Sequence, residues 1–394
     1  MVDSHIMTKC VVLLGGCTEV DKPLVDVVCL PVSASKPYKG YSFKAVPEAC
    51  GFNFATCKWR NELYVCGGSQ NPTFFAKYKP GDDEWEVLPA LPQGREGHVM
   101  VAVSGNIYVI GGLEEDVVVK KSPASDVMVY NTKTKDWGRK GRLFMAVQDA
   151  SAAALGHRIY VFGGREAGGN PVDTVQCVDT VTGCVYEAGH LPSPTTGARA
   201  VSDGGTITIA TTDCHVLKMK EDFILADRRE RQLAAEKTKK SGNKGGGDDA
   251  ISPTVTFIQV GEFPKRTEFG VFLDREELVV CGGQAEDGQL LDDITGIHLE
   301  SGVVTNRKQK LHRGTAQFGL QVLHMPNDFL SSDRATIQPF DVGDRVRVNP
   351  ATWTGQFPRI QHPNYHPVQQ NGHVTVDFPQ YQGWTCQMEH LILA

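Results

Sequence analysis

The apolar positions of this chain fall in short unbroken runs that end on a pair of glycines. The runs read Val11-Val12-Leu13-Leu14-Gly15-Gly16, Leu63-Tyr64-Val65-Cys66-Gly67-Gly68, Ile107-Tyr108-Val109-Ile110-Gly111-Gly112, Ile159-Tyr160-Val161-Phe162-Gly163-Gly164 and Leu278-Val279-Val280-Cys281-Gly282-Gly283. A run with no polar interruption predicts a strand buried on both faces. Two glycines at its end predict positive φ and a close backbone approach where the strand turns. The spacing of roughly fifty residues predicts a repeat architecture. The third repeat shows a whole unit. Arg95-Glu96-Gly97-His98 leads into a strand over Val99 to Val103, and Ser104-Gly105-Asn106 makes a hairpin turn. Ile107 to Gly112 follows, then Asp126 to Asn131, then a polar turn and Asp136-Trp137. These are four strands, a to d, of one sheet.

This unit resembles the kelch repeat. The diglycine is followed by a Tyr and then, past a polar turn, by a Trp: Tyr130 and Trp137 in the third repeat, Tyr78 and Trp85 in the second. The fourth keeps Gly163-Gly164 but has Val178 and Tyr186 in those places. The resemblance implies an all-β fold, a six-bladed kelch β-propeller. It speaks for scaffold and not for chemistry.

Taken in order, the chain starts on a b strand, Lys9 to Gly16, with c at Leu24 to Val32 and d at Tyr41 to Val46. Near the far end, Arg313 to Leu323 reads as an a strand with no b strand after it. Pairing the two closes the ring and removes exposed strand edges. Blades two, three and four are expected at Ala49 to Ala90, Leu91 to Arg142 and Leu143 to His190, and blade six at Phe263 to Gln309. Blade five is degenerate. Its b strand is Thr206 to Ala210, its glycines are Thr211-Thr212, and its c strand is Cys214 to Met219. An insert over 222–252 follows, with Arg228, Arg229, Arg231, Lys239 and Lys240 in a half that reads as a sparse helix. Its second half, around Lys244-Gly245-Gly246-Gly247, has linker composition. Strand d resumes at Val255 to Ile258. The propeller is expected over 8–326, with 1–7 as a tag-like remnant and 327–339 as a linker.

The last part, 340–394, has another pattern. Val342-Gly343-Asp344-Arg345-Val346-Arg347-Val348 alternates apolar and charged residues, and Gly372 to Pro379, Trp384 and Glu389-His390-Leu391 follow. This resembles the small SH3-like β-barrel repeats of mind-bomb and keep-on-going type ubiquitin ligases. His362 to Gln370, in its middle, shows no clear strand.

Composition narrows the function classes. The 394 residues carry 40 Lys and Arg against 46 Asp and Glu, a net charge of −6. No basic footprint for nucleic acid is present, and no apolar run has membrane length. Eleven scattered cysteines form no Cys-x-x-Cys, and Asn71 and Asn170 are each followed by Pro, so neither is a sequon. A reducing, cytoplasmic location is expected, with a monomeric chain. His362-x-x-x-His366 has metal-like spacing, but Pro363 and Pro367 forbid the helix that would align the pair. No phosphate loop, metal site or catalytic constellation is expected, and no cofactor.

What remains is the propeller rim, where the b–c and d–a loops converge. In kelch substrate adaptors that face binds a peptide, often an acidic one. Matching positions are Gln70, Asn71, Arg165 and Gln284 after the glycine pairs, and Arg95, Gln148, Thr196, Arg266 and Arg313 from the d–a loops. Four arginines at one entrance would suit carboxylates. The leading expectation is therefore a non-enzymatic interaction scaffold for a protein or peptide, acidic in character, with ubiquitin-ligase adaptor work implied by resemblance. Two others stand beside it: a sugar-processing kelch enzyme of the sialic-acid epimerase kind, which would need an acid and base at the channel mouth, and an actin-binding scaffold that uses the basic insert.

Overall fold

The computed structural model describes residues 7–17, 23–32, 40–114, 121–223, 253–311 and 313–330, together with the short strands of the C-terminal part named below. Each unbroken apolar run becomes the second strand of an antiparallel sheet. Burial on both faces is the reason. In Met7–Cys17, Cys10, Val12 and Leu14 enter one apolar cluster while Val11 and Leu13 enter another. In Asn106–Ile110, Ile107 and Val109 face one neighbour and Tyr108 and Ile110 the other. Alternation along the strand thus feeds two seams at once, and a polar residue on either face would be stranded.

Five sheets of four strands and one of five form the blades. Their inner strands pack in a cycle: Ala55–Trp59 on Val99–Val103, then Ser151–Leu155, Arg199–Ser202, Gly270–Asp274 and Ala316–Pro326, which returns to Ala55–Trp59. Each apolar cluster spans one seam between neighbouring sheets, and the sixth joins the last blade to the first. The N- and C-terminal strands of the ring pair from Met7↔Pro326 to Cys17↔Ala316. Closure by a C-terminal strand is as expected, but the strand starts at Ala316, so Arg313 lies in the preceding loop.

The glycine pairs work as inter-blade staples. The second glycine donates its N–H to a carbonyl in the next d–a loop: Gly68 to Arg95 at 3.0 Å, and Gly112 to Val147, Gly164 to Thr195 and Gly283 to Thr315 at 2.8 Å each. A Cβ on Gly67, at φ 64°, would sit 2.3 Å from the Arg95 carbonyl oxygen. Tyr and Trp brace the outer strands. Tyr130 and Trp137 lie 5.2 Å apart. The Trp137 indole N–H reaches the Pro89 carbonyl and that of Trp85 the Lys44 carbonyl, each across a seam.

Three differences from expectation have plain causes. Within the expected linker, Asn327–Phe329 is a 3-10 turn, and Ala335–Thr336 pairs with Gly40–Phe43 as a fifth strand covering an otherwise open edge. Blade five extends its outer hairpin, His215–Phe223 with Pro253–Glu262. This hairpin leans on blade four, where Glu221 accepts from Tyr160 and from Arg158 Nη1 and Phe257 packs on Phe162. The insert beyond it, 224–252, lies outside the described residues. In the C-terminal part, Asn364–Gln370, His373–Phe378 and Tyr381–Gln387 pair in that order, and Val346–Val348 pairs with Leu391–Leu393. The strand Asn364–Gln370 was hidden by Pro367, at which the ladder register breaks between His366 and Gln370.

Candidate functional site

The inner strands enclose an open channel with a volume of about 1280 Å³. One mouth is ringed by residues at the starts of the inner strands: Asn53, Gly97, Asp149, Gly197 and Glu268, each two positions ahead of its strand, and Gln317, the second residue of Ala316–Pro326. All six adopt left-handed φ, from 52° at Asp149 to 70° at Gly197. The conformation accompanies a backbone bond at four of the six links around the mouth. Gly97 N–H donates to Asn53, Asp149 to Gly97 and Gly197 to Asp149, each at 2.8 Å, and Gln317 donates to Glu268 at 3.3 Å. Glycine adopts this φ freely, whereas the four other residues hold it at a cost of about 1 kcal/mol or more each. Between Gly197 and Glu268 no such backbone bond is present among the described residues. Arg199 bridges there instead, donating to the Gly197 and Ala198 carbonyls at 3.1 and 3.2 Å and to the Phe269 carbonyl at 3.2 Å.

The mouth is electrically mixed. Asp149 fits because residue 97 is a glycine, where a Cβ would meet Asp149 Oδ1 at 2.7 Å. Its carboxylate accepts from Gln148 Nε2 at 3.2 Å. Burial raises its pKa above the ordinary carboxylate value, against the pull of Gln148, Arg165 and Arg199. Glu268 accepts from Gln317 Nε2 at 2.8 Å. Burial lowers the Arg199 pKa, while Glu268 and Asp149 support its charge. Among the described residues no group of three or more His, Cys, Asp or Glu could hold a metal ion.

The rim residues read from the sequence part company here. Arg165 and Thr196 line the channel, and Arg165 Nη1 donates to the Gly169 carbonyl at 3.2 Å. Gln148 exchanges backbone bonds with Arg165, as Thr267 does with Gln284. Gln284 Nε2 braces its own loop at the Gly288 carbonyl. Gln70 is exposed, and Asn71 donates to the Glu48 carboxylate. Arg95 and Arg266, expected on the rim, are instead 0 % and 4 % exposed. Arg95 Nη1 donates to the Gly111 and Asp126 carbonyls, and Arg266 grips Asp293 through two nitrogens at 3.0 and 2.7 Å. Both clamp the diglycine turn to the start of strand c. Arg313 faces the loop region but is paired with Asp26 at 2.7 Å.

Reading by residue type missed Asn53, Asp149, Arg199, Glu268 and Gln317. A signal existed for most of them. In blades two to six the ring residue stands fourteen positions ahead of the first glycine, or of Thr211. His98, one position further on, occupies a site that is Phe54, Phe269 and Phe318 in other blades. It is 5 % exposed, and neither ring nitrogen makes a well-formed hydrogen bond among the described residues. Burial, reinforced by the Arg95 charge and opposed more weakly by the Cys66 backbone, lowers its pKa to about 3. An unfolded histidine titrates near 6.5, so the unfolded chain binds the proton first as pH falls. This contribution to stability is intact above about pH 6.5 and is lost progressively toward pH 3. His98→Phe is expected to remove that loss. Urea melts should show wild type falling behind the variant by up to about 1.4 kcal/mol per pH unit below pH 6.5. Parallel curves for the two proteins would mean that His98 is hydrated in the fold.

Comparison with known proteins agrees with this geometry. The Kelch motif matches residues 94–137 and 148–192. Kelch-like protein 35 of Mus musculus is 27% identical over 176 residues, 44% of this chain and 29% of that protein. Kelch repeat and BTB domain-containing protein 4 of Homo sapiens is 33% identical over 134 residues, 32% of this chain and 24% of that protein. Alpha-scruin of Limulus polyphemus is 30% identical over 133 residues, 33% of this chain and 14% of that protein. The match thus spans less than a third of each of these relatives. The solved structure of YjhT superposes with a TM-score of 0.53 at 17% identity, covering 78% of this chain and 99% of that one, a likeness of fold alone. The chain carries a kelch-repeat β-propeller, related in sequence to the kelch-like proteins and sharing the fold of YjhT.

Proposed function

We propose that this protein is a non-enzymatic, intracellular interaction scaffold that binds a segment of a partner polypeptide at the channel mouth. One observation carries the reading. Loops from successive blades deliver hydrogen-bonding and charged side chains to one rim of a ring stapled at its seams, which is how a rigid scaffold presents a binding surface. The free thiols of all ten described cysteines support an intracellular setting. The charge of the partner follows from which groups are already used. Arg95 and Arg266 are spent inside blades and Arg313 on Asp26, so the arginine-rich rim expected for an acidic partner keeps only Arg165 of its four members, and Arg199, which also lines the mouth, is tied to three carbonyls. Asp149, Glu166, Asp213, Glu268 and Asp287 form no ion pair among the described residues, and their side-chain contacts are to neutral groups. The partner segment is therefore basic.

Coupling to ubiquitin-ligase machinery through an SH3-like C-terminal module extends the proposal. The likeness to kelch-like proteins supports it. So does the pairing of the first C-terminal strand, Val346–Val348, with the last, Leu391–Leu393, as barrel closure requires. The test of the scaffold reading is a peptide-library screen on wild type and on Asp149→Asn with Glu268→Gln. Wild type should enrich Lys- and Arg-bearing peptides, with binding weakened by salt, and the double variant should lose that enrichment. Selection of acidic or neutral peptides would overturn the charge assignment, and selection of none would overturn the scaffold.

A further inference from the structure

We infer that the channel mouth is also a binding site for a small zwitterion, a molecule with an ammonium and a carboxylate a few ångströms apart and an apolar remainder. This goes beyond polypeptide binding and rests on a different observation. Asp149, Arg165, Arg199 and Glu268 all line one mouth of the channel. Opposite charges that share a cavity ordinarily collapse into ion pairs. Among the described residues no two of the four pair with each other, because each is held by something else. Arg199 is tied to the Gly197, Ala198 and Phe269 carbonyls and Arg165 to the Gly169 carbonyl. Asp149 and Glu268 are fixed by left-handed backbone and by the amides of Gln148 and Gln317.

The result is a set of charges kept apart in advance. A ligand with one charge, such as a basic side chain of a polypeptide, answers only the two carboxylates and leaves the two arginines unanswered. A ligand carrying both signs satisfies both, and the site need not reorganise to receive it. Space is present where it is needed. A Cβ placed on Gly197, between the two carboxylate-bearing blades, would meet nothing nearer than the Thr212 methyl at 3.8 Å. Further in, the wall turns apolar with Ala150, Ala152, Ala200 and Leu320, all partly exposed to the channel. The charged groups of the ligand thus sit at the mouth and its hydrocarbon points inward. The proximity of the charges has a second sign, since both arginines act on the titration of Asp149.

The probe is L-leucine, measured on the full chain by calorimetry and saturation-transfer NMR. Its two single-charge relatives, isopentylamine and 4-methylpentanoate, keep the hydrocarbon and remove one charge each. Leucine is expected to bind at least about ten-fold more tightly than either relative. Asp149→Asn and Arg165→Gln should each weaken leucine by a similar factor. Arg165, at the channel edge with one carbonyl contact, keeps the test sound if the Asp149 variant folds poorly. Equal binding of leucine and a single-charge relative would overturn the inference, as would no leucine binding at roughly 10 mM or unchanged binding in Arg165→Gln. The polypeptide reading is judged separately, because the library screen contains no free zwitterion of this size.

Discussion

Truncation after Leu311 is expected to abolish the cooperative melting of the propeller, while truncation after Thr336, which keeps the edge-covering strand, should leave it nearly unchanged. The main difference is the strand Ala316–Pro326. It hydrogen-bonds along the whole of Met7–Cys17, and without it that strand becomes an open edge. It also feeds two seams. Leu323 and Met325 enter the cluster between blades one and two, and Phe318 enters the one between blades six and one. Loss of a large buried apolar side chain costs roughly 2–5 kcal/mol, and whole domains hold only about 5–15 kcal/mol. Losing three such side chains together with a full ladder exceeds what the ring can absorb. Thermal melts of the two truncations by circular dichroism make the comparison. Equal transitions would show that the ring tolerates an open seam.

Arg199→Ala is expected to destabilise the chain by about 2–4 kcal/mol, with the damage concentrated between blades five and six. Four other seams have a diglycine staple, and the lacing around the mouth runs through Asn53, Gly97, Asp149 and Gly197. The fifth seam has Thr211-Thr212 in place of the glycines and no backbone bond from Glu268 to Gly197 among the described residues. Arg199 replaces both devices with three charge-assisted bonds to carbonyls on the two sides. Removing it leaves those carbonyls unsatisfied, at about 1–3 kcal/mol for a buried polar group. Arg199→Lys should rescue only in part, because one ammonium cannot span carbonyls that a planar fork reaches together. Hydrogen exchange is the discriminating measurement. Protection should fall first in Ile207–Ala210 and Gly270–Asp274. Uniform loss across all blades would mean that Arg199 supports the ring as a whole and not this seam, and no loss would mean that it is an ordinary surface residue.

Much of the fold was legible because its signals are local. Two-sided burial demands an uninterrupted apolar strand, and a turn through positive φ demands glycine, so the runs ending in Gly67-Gly68 or Gly111-Gly112 announce strand, turn and repeat together. Closure was legible too, since in the sequence Lys9 to Gly16 has no strand before it and Arg313 to Leu323 has none after it, and the two strands pair in the ring. The site was a different matter. Arg95 and Arg165 both look like rim arginines in the chain, yet one is sealed inside a blade and the other lines the channel. Their fates depend on carbonyls and carboxylates brought from elsewhere: Gly111 and Asp126 lie 16 and 31 residues from Arg95. The ring around the mouth is filled by Asn, Gly, Asp, Gly, Glu and Gln, which share no chemistry. They share a backbone conformation imposed by the neighbouring blade. By itself the sequence determined the strands, their repeat and the closing of the ring. Only the tertiary structure decided which charges are consumed inside it and which are left at the mouth, because burial and pairing across blades are properties of the assembled ring and not of any one repeat.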